Sequence, residues 1–250
     1  MDMSFYTAAV GAHQQQRRLD VHANNIANVN TYGFKARHPA FSTLMTNLMK
    51  GTDEDLRRGA GARVESAEAD ISQSGFWGTE RALDYAINGS GFFALMDPLS
   101  GEVIYTRDGS FALMNMQIAQ DGAEEDSQTR WYLSDGLGRY VLGSNGRPIE
   151  IEDPMEMDTL IGNPLPVGIF DYINYNGDRS VGNNGFSPVD KNRAVMLGNG
   201  TLVQGYLEIS NTDLAYELGK VIESQRSFQY ALRMVQTSDE ITTTVNGLRS

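Results

Sequence analysis

The chain has 250 residues, with 20 Lys and Arg against 32 Asp and Glu, a formal net charge of −12 and no cysteine. That length supports one or two domains with a buried core. The charge repels nucleic-acid phosphates and anionic membrane surfaces, and the missing thiols exclude disulfides, thiolate nucleophiles and cysteine metal sites.

Residues 1–45 predict a long helix. Phe5, Ala12, Leu19 and Ile26 recur every seven residues, with Ala8, Gln15, His22 and Val29 between them. This is a thin apolar stripe with small and polar residues at several positions. Gly33 is expected as the helix stop, in a left-handed backbone. The opening Met1-Asp2-Met3-Ser4-Phe5 has neither the basic stretch nor the apolar run of a cleaved signal. No segment approaches the roughly 20 apolar residues of a membrane span. The expectation is a protein without membrane insertion that, if exported, leaves uncleaved.

Residues 46–66, with Gly51, Gly59 and Gly61 among charges, read as a connector. Residues 67–205 differ in kind. Asp108-Gly109, Asp121-Gly122, Asp135-Gly136, Asn145-Gly146, Asn176-Gly177 and Asn199-Gly200 punctuate short apolar segments. Leu83, Tyr85 and Ile87 alternate before Gly89-Ser90-Gly91 breaks the run. The pattern predicts an irregular all-β domain, a barrel or a sandwich.

Residues 206–250 return to helix. Ser210-Asn211-Thr212-Asp213 supplies capping side chains. Leu214, Val221, Phe228 and Val235 then repeat every seven residues, joined by Leu218 and Leu232. The stripe shifts register to Ile241, Val245 and Leu248, which re-aims the apolar face. The fold class is therefore α+β: long terminal helices from 1–45 and 206–250 form a coiled-coil-like core, and a β domain is inserted between them.

Chemistry-bearing patterns are sparse. His13 and His22 are nine residues apart and share no helix face as ligands would, and His38 stands alone. There is no H-E-x-x-H, G-x-S-x-G or Walker sequence. The acidic run Asp121 to Asp126 lacks EF-hand spacing and reads as a loop tip. Asn88-Gly89-Ser90 and Asn199-Gly200-Thr201 fit hairpin turns as well as a glycosylation sequon. No enzyme activity, cofactor or metal is expected.

Several segments carry a resemblance. Ala23-Asn24-Asn25-Ile26-Ala27-Asn28-Val29-Asn30-Thr31-Tyr32-Gly33-Phe34-Lys35 resembles the N-terminal signature of the bacterial flagellar rod and hook protein family. Gly205 to Leu214, with Gln225-Arg226-Ser227-Phe228 and Thr237-Ser238-Asp239-Glu240, is similar to that family's C-terminal helix. Leu83 to Phe93 and Tyr105-Thr106-Arg107-Asp108-Gly109-Ser110-Phe111 resemble its β segments, and Gly59 to Val64 resembles the connector of its distal-rod branch. Residues 112–200 show little likeness.

The resemblance implies a non-enzymatic subunit of the flagellar basal body in the cell envelope, exported through the flagellar type III apparatus. It would assemble with copies of itself and other rod or hook subunits into a helical filament. The terminal helices would form the tube and the β domain its exterior. The residues expected to carry self-assembly on the first helix are Phe5, Ala12, Leu19, Asn24, Asn25, Ile26, Asn28, Asn30, Gly33 and Phe34. Those on the last are Asn211, Leu214, Leu218, Val221, Gln225, Arg226, Phe228, Leu232, Val235, Ile241 and Val245. Alternatives are a hook or proximal-rod subunit, or a secreted β-domain adhesin with coiled-coil ends. A thin stripe is too weak to hold an isolated helix, so both termini are expected to be mobile in the free subunit and to order on assembly.

Overall fold

A computed structural model describes residues 3–43, 46–49, 56–59, 62–117, 129–151, 164–172, 179–182, 184–188 and 195–248. The acidic run 121–126 lies outside them. The chain divides into two compact units. One comprises Met1–Ala27, Ala36–Asp70 and Thr212–Ser250; the other comprises Asn28–Lys35 and Ile71–Asn211.

The first unit contains α1 (Met3–Ala27) and α2 (Leu214–Gly247). At about 1.5 Å per residue they span roughly 37 and 51 Å. Asp213 caps α2: its carboxylate accepts from the backbone N–H of Ala215 and Tyr216. The strand Arg37–Thr43 pairs antiparallel with Ala62–Ala69, and Thr46–Met49 pairs with Leu56–Gly59. These strands run through the stretch read as a connector.

Helix α1 stops at Ala27, six residues before Gly33. Successive turns follow, in which Thr31 N–H donates to Asn28 O at 3.1 Å and Phe34 N–H to Thr31 O at 3.3 Å. Asparagine and threonine side chains compete with helical backbone bonds, and Thr31 Oγ1 donates to Asn28 Oδ1 at 3.2 Å. Gly33 does adopt the left-handed conformation, with φ 66°. A Cβ there would lie 2.2 Å from the backbone N of Asp108. Glycine is thus required twice, by dihedral and by space.

The second unit is antiparallel and β-rich. Its largest sheet has eight strands, in which Phe93–Met96 pairs with Val103–Thr106 and with Tyr140–Val141, while Thr129–Ser134 pairs with Ala112–Gln117. Smaller pairings join Thr201–Gln204 to Tyr85–Asn88 and Tyr206–Glu208 to Phe76–Gly78. The core gathers Tyr85, Ile87, Phe93, Leu95, Phe111, Leu133 and Val141. Each such side chain contributes about 1.5–3 kcal/mol on burial. The Phe93 and Phe111 rings meet edge-on at 5.2 Å. Leu83, Tyr85 and Ile87 are buried as the alternation predicts, but so are Asp84 and Ala86. Both faces of that segment are covered, and Arg81 lies 3.2 Å from the Asp84 carboxylate.

Candidate functional site

In the helical unit, α1 and α2 run antiparallel. Arg18 on α1 meets Glu223 at 3.2 Å, His22 Nδ1 lies 2.6 Å from Glu217 Oε2, and Asn25 Nδ2 donates to Glu217 Oε1 at 2.9 Å. Rising numbers on one helix thus meet falling numbers on the other. His22 and Glu217 are buried, at 2% and 1% exposure. A buried carboxylate is costly unless its oxygens are paired, and here both are bonded. Asn25 also donates to Arg37 O at 2.8 Å and accepts from Arg37 N–H at 3.0 Å. One asparagine therefore ties α1, α2 and the first strand together.

The buried positions along α2 are Glu217, Ser224 and Ser238, and half-buried Ala231 completes their seven-residue spacing. Val221, Phe228 and Val235 are half-buried beside them. On α1, Ala12 is buried, and Ala8, Gln15, Leu19 and Ile26 are half-buried. The seam between the helices is thus lined mainly by small or polar side chains. Larger apolar residues of α2 stay outside it: Leu214, Leu218, Leu232, Ile241 and Val245 are exposed, as is Phe5 of α1. From Asp239 to Gly247 every residue of α2 is exposed. Gln225 and Arg226 are exposed as well.

Reading the stripe from Leu214, Val221, Phe228 and Val235 missed Glu217, Ser224, Ala231 and Ser238. They lie three residues on at the same period, but they are small or polar, so a search for large apolar residues passes over them. The hydrogen bond from Lys220, reinforced by the nearby charge of Arg18, holds the Glu223 carboxyl below the usual carboxylate range.

In the β-rich unit, Glu208 is fully buried with two cations. Lys35 Nζ donates to its Oε1 at 2.7 Å and Arg107 Nη1 to its Oε2 at 3.2 Å. Ser74 N–H adds a third bond at 2.9 Å. Lys35 also donates to Ser72 O at 2.6 Å, and Arg107 to Gly89 O at 2.7 Å. The backbone closes around the group: Gly33 N–H donates to Glu208 O at 2.8 Å and Asn211 N–H to Phe34 O at 3.4 Å. Each of three motifs quoted from the sequence supplies one charge: Lys35 from the N-terminal signature, Arg107 from the Tyr105–Phe111 segment and Glu208 from the C-terminal one. Phe34 is buried beside this junction, and Asn28 is buried, whereas Asn24 and Asn30 are exposed. Burial pushes the Tyr85 hydroxyl above its usual range; that oxygen accepts from Leu165 N–H at 3.3 Å.

Among the described residues no group of three or more His, Asp or Glu is placed to hold a metal, and no helix is long and apolar enough to cross a membrane. The clustered chemistry of both units consists of internal ion pairs and hydrogen bonds.

Comparison with known proteins finds three family profiles in chain order: flagella basal body rod protein over 5–35, the flagellar hook protein FlgE/F/G D1 domain over 86–123, and the flagellar basal body rod FlgEFG protein C-terminal region over 203–248. The flagellar basal-body rod protein FlgG of Buchnera aphidicola (subspecies Schizaphis graminum) is 30% identical over 265 residues, covering 95% of this chain and 96% of its own. FlgG of Bacillus subtilis is 30% identical over 269 residues, covering 95% and 96%. The hook-basal body complex protein FlhP of the same bacterium is 29% identical over 277 residues, covering 98% and 99%. These matches run along nearly the whole chain, and so it belongs to the flagellar basal-body rod protein family, whose members are structural subunits of the basal body.

Proposed function

We propose that this subunit builds the distal rod by polymerising through α1 and α2 into a tubular filament that carries torque. The observation that supports this most directly is the inverted use of side-chain size on α2. The helix spends its small and polar residues on the intrachain seam and leaves Leu218, Leu232 and Ile241 exposed. Apolar side chains left aligned on a helix are an interaction surface, and heterologous contacts that do not close on themselves give open filaments. The self-assembly residues named from the sequence take part on this reading, with Asn25, Asn28, Gly33 and Phe34 acting through the fold of the subunit itself.

In the filament the helices form a coiled-coil-like wall, and the β region, of barrel or sandwich type, is its exterior. The division expected from the sequence, 1–45 with 206–250, 46–66 and 67–205, stands here as a division of labour rather than of compact units. Copies of the chain and neighbouring rod and hook subunits are the partners, reached after uncleaved export through the flagellar type III apparatus. The subunit needs no cofactor and catalyses no reaction. Electron microscopy of concentrated full-length protein, alone and with neighbouring rod subunits, tests the reading. Filaments of uniform diameter are the expected result, and a protein that stays monomeric in both conditions refutes it.

A further inference from the structure

A cavity of about 210 Å³ opens beside Arg107, lined by the turn 89–92 together with Ile71, Gln73 and Arg107 itself. All of these residues belong to the β-rich unit. The turn follows the strand Tyr85–Asn88 and holds Gly89 and Gly91 at φ 109° and 123°, a conformation open to glycine and costly for other residues. Its outer N–H groups are engaged: Gly89 donates to Gln73 Oε1 at 2.9 Å and Phe92 to Phe170 O at 2.7 Å. The two between them, on Ser90 and Gly91, make no hydrogen bond among the described residues. Gly91 is buried, and buried backbone N–H groups without a partner are rare.

Arg107 brings a cation to the same cavity. It is 3% exposed, and its Nε–H is buried without a partner. Its Nη atoms donate to Ile87 O, Gly89 O and Glu208, but Glu208 also serves Lys35, so that one carboxylate is divided between two cations. No described residue of the lining carries a negative charge. Unbonded donors beside an incompletely balanced guanidinium form a concavity for an anion.

We propose that this cavity binds a small carboxylate monoanion, held by the Ser90 and Gly91 N–H groups and the charge of Arg107. Two adjacent N–H groups match the two oxygens of a carboxylate, and one shared cation matches a single charge. A dianion such as phosphate would add a second charge next to Glu208 with no further cation in the lining to offset it. Ile71 and Phe92 give a short apolar tail its wall. The site lies within one unit and is independent of the assembly reading above.

The test titrates dilute, amide-labelled full-length protein with sodium acetate, sodium chloride or sodium phosphate at equal ionic strength, followed by nuclear magnetic resonance. Acetate is expected to move the Ser90 and Gly91 amide signals saturably, chloride to leave them in place, and phosphate to bind more weakly than acetate. Gln73→Glu places a like charge at an exposed position of the lining and is expected to weaken acetate binding by about tenfold or more. Asn145→Asp adds the same charge on an exposed turn outside the lining and is expected to leave binding unchanged; thermal melting checks that both variants fold. Acetate that moves neither amide overturns the proposal, as does chloride that moves both equally. Phosphate binding as tight as acetate overturns the assignment to a carboxylate, and equal weakening by the two variants reduces the effect to whole-molecule charge and overturns the site.

Discussion

Gly33 shows how much one residue can fix. Its φ of 66° and the 2.2 Å approach of the Asp108 backbone leave no room for a side chain. Gly33→Ala therefore combines left-handed strain of about 1 kcal/mol or more with overpacking of about 1–3 kcal/mol. A loss of ~2–4 kcal/mol in urea unfolding is expected. The glycine's dihedral was legible in the sequence, but its neighbour was not, because Asp108 lies far along the chain. The same holds for Glu208. The segments that supply its partners stand out by resemblance, yet nothing local says that Lys35 and Arg107 meet on one carboxylate. Glu208→Ala would leave two buried cations facing each other, and a loss of about 3–5 kcal/mol is expected by the same measurement. A loss below ~1 kcal/mol would mean that water reaches the cluster.

At the scale of elements, both helices and the capped start of α2 follow from period and capping chemistry. The end of α1 does not, because the asparagine-rich turns interrupt it before the glycine. The side of α2 that pairs with α1 was also hidden, since small residues rather than large ones mark a close seam. Ser224, fully buried there, is the sensitive position. Ser224→Leu forces the helices apart, and helical signal on heating is expected to fall at lower temperature, at a cost of about 1–3 kcal/mol. Glu223 gives the pairing a pH dependence. Its folded carboxyl titrates below the unfolded value near 4.5, so its contribution is complete above that value and is lost as pH falls through the folded one. Glu223→Gln is expected to flatten this acid limb in a melting series; an unchanged limb would assign it to other carboxylates.

Across the whole molecule, the order helix, β region, helix was legible because hydrophobic period changes twice along the chain. Strand partners were not, since Thr201–Gln204 pairs with Tyr85–Asn88 across more than a hundred residues, and no local pattern encodes that. The balance between units is open to a direct check. The β-rich unit has an aromatic core, whereas α2 presents its last turns to solvent. Limited proteolysis of dilute protein is expected to cut 1–27 and 212–250 well before the sheet, and assembly is expected to abolish that difference. Equal resistance in the dilute state would contradict it.

Lys35 and Phe34, in the first segment of the β-rich unit, are bonded to Glu208 and Asn211, in its last. The first and last segments of the β-rich unit are therefore fastened to each other, like the two ends of a closed clasp. Within such a clasp, segments that do not reach the junction can change while Arg107, Ser74 and Asp108, which meet it, stay in place. Replacing a stretch such as Ala112–Gln117 with its counterpart from another family member is then an exchange that leaves the clasp itself untouched.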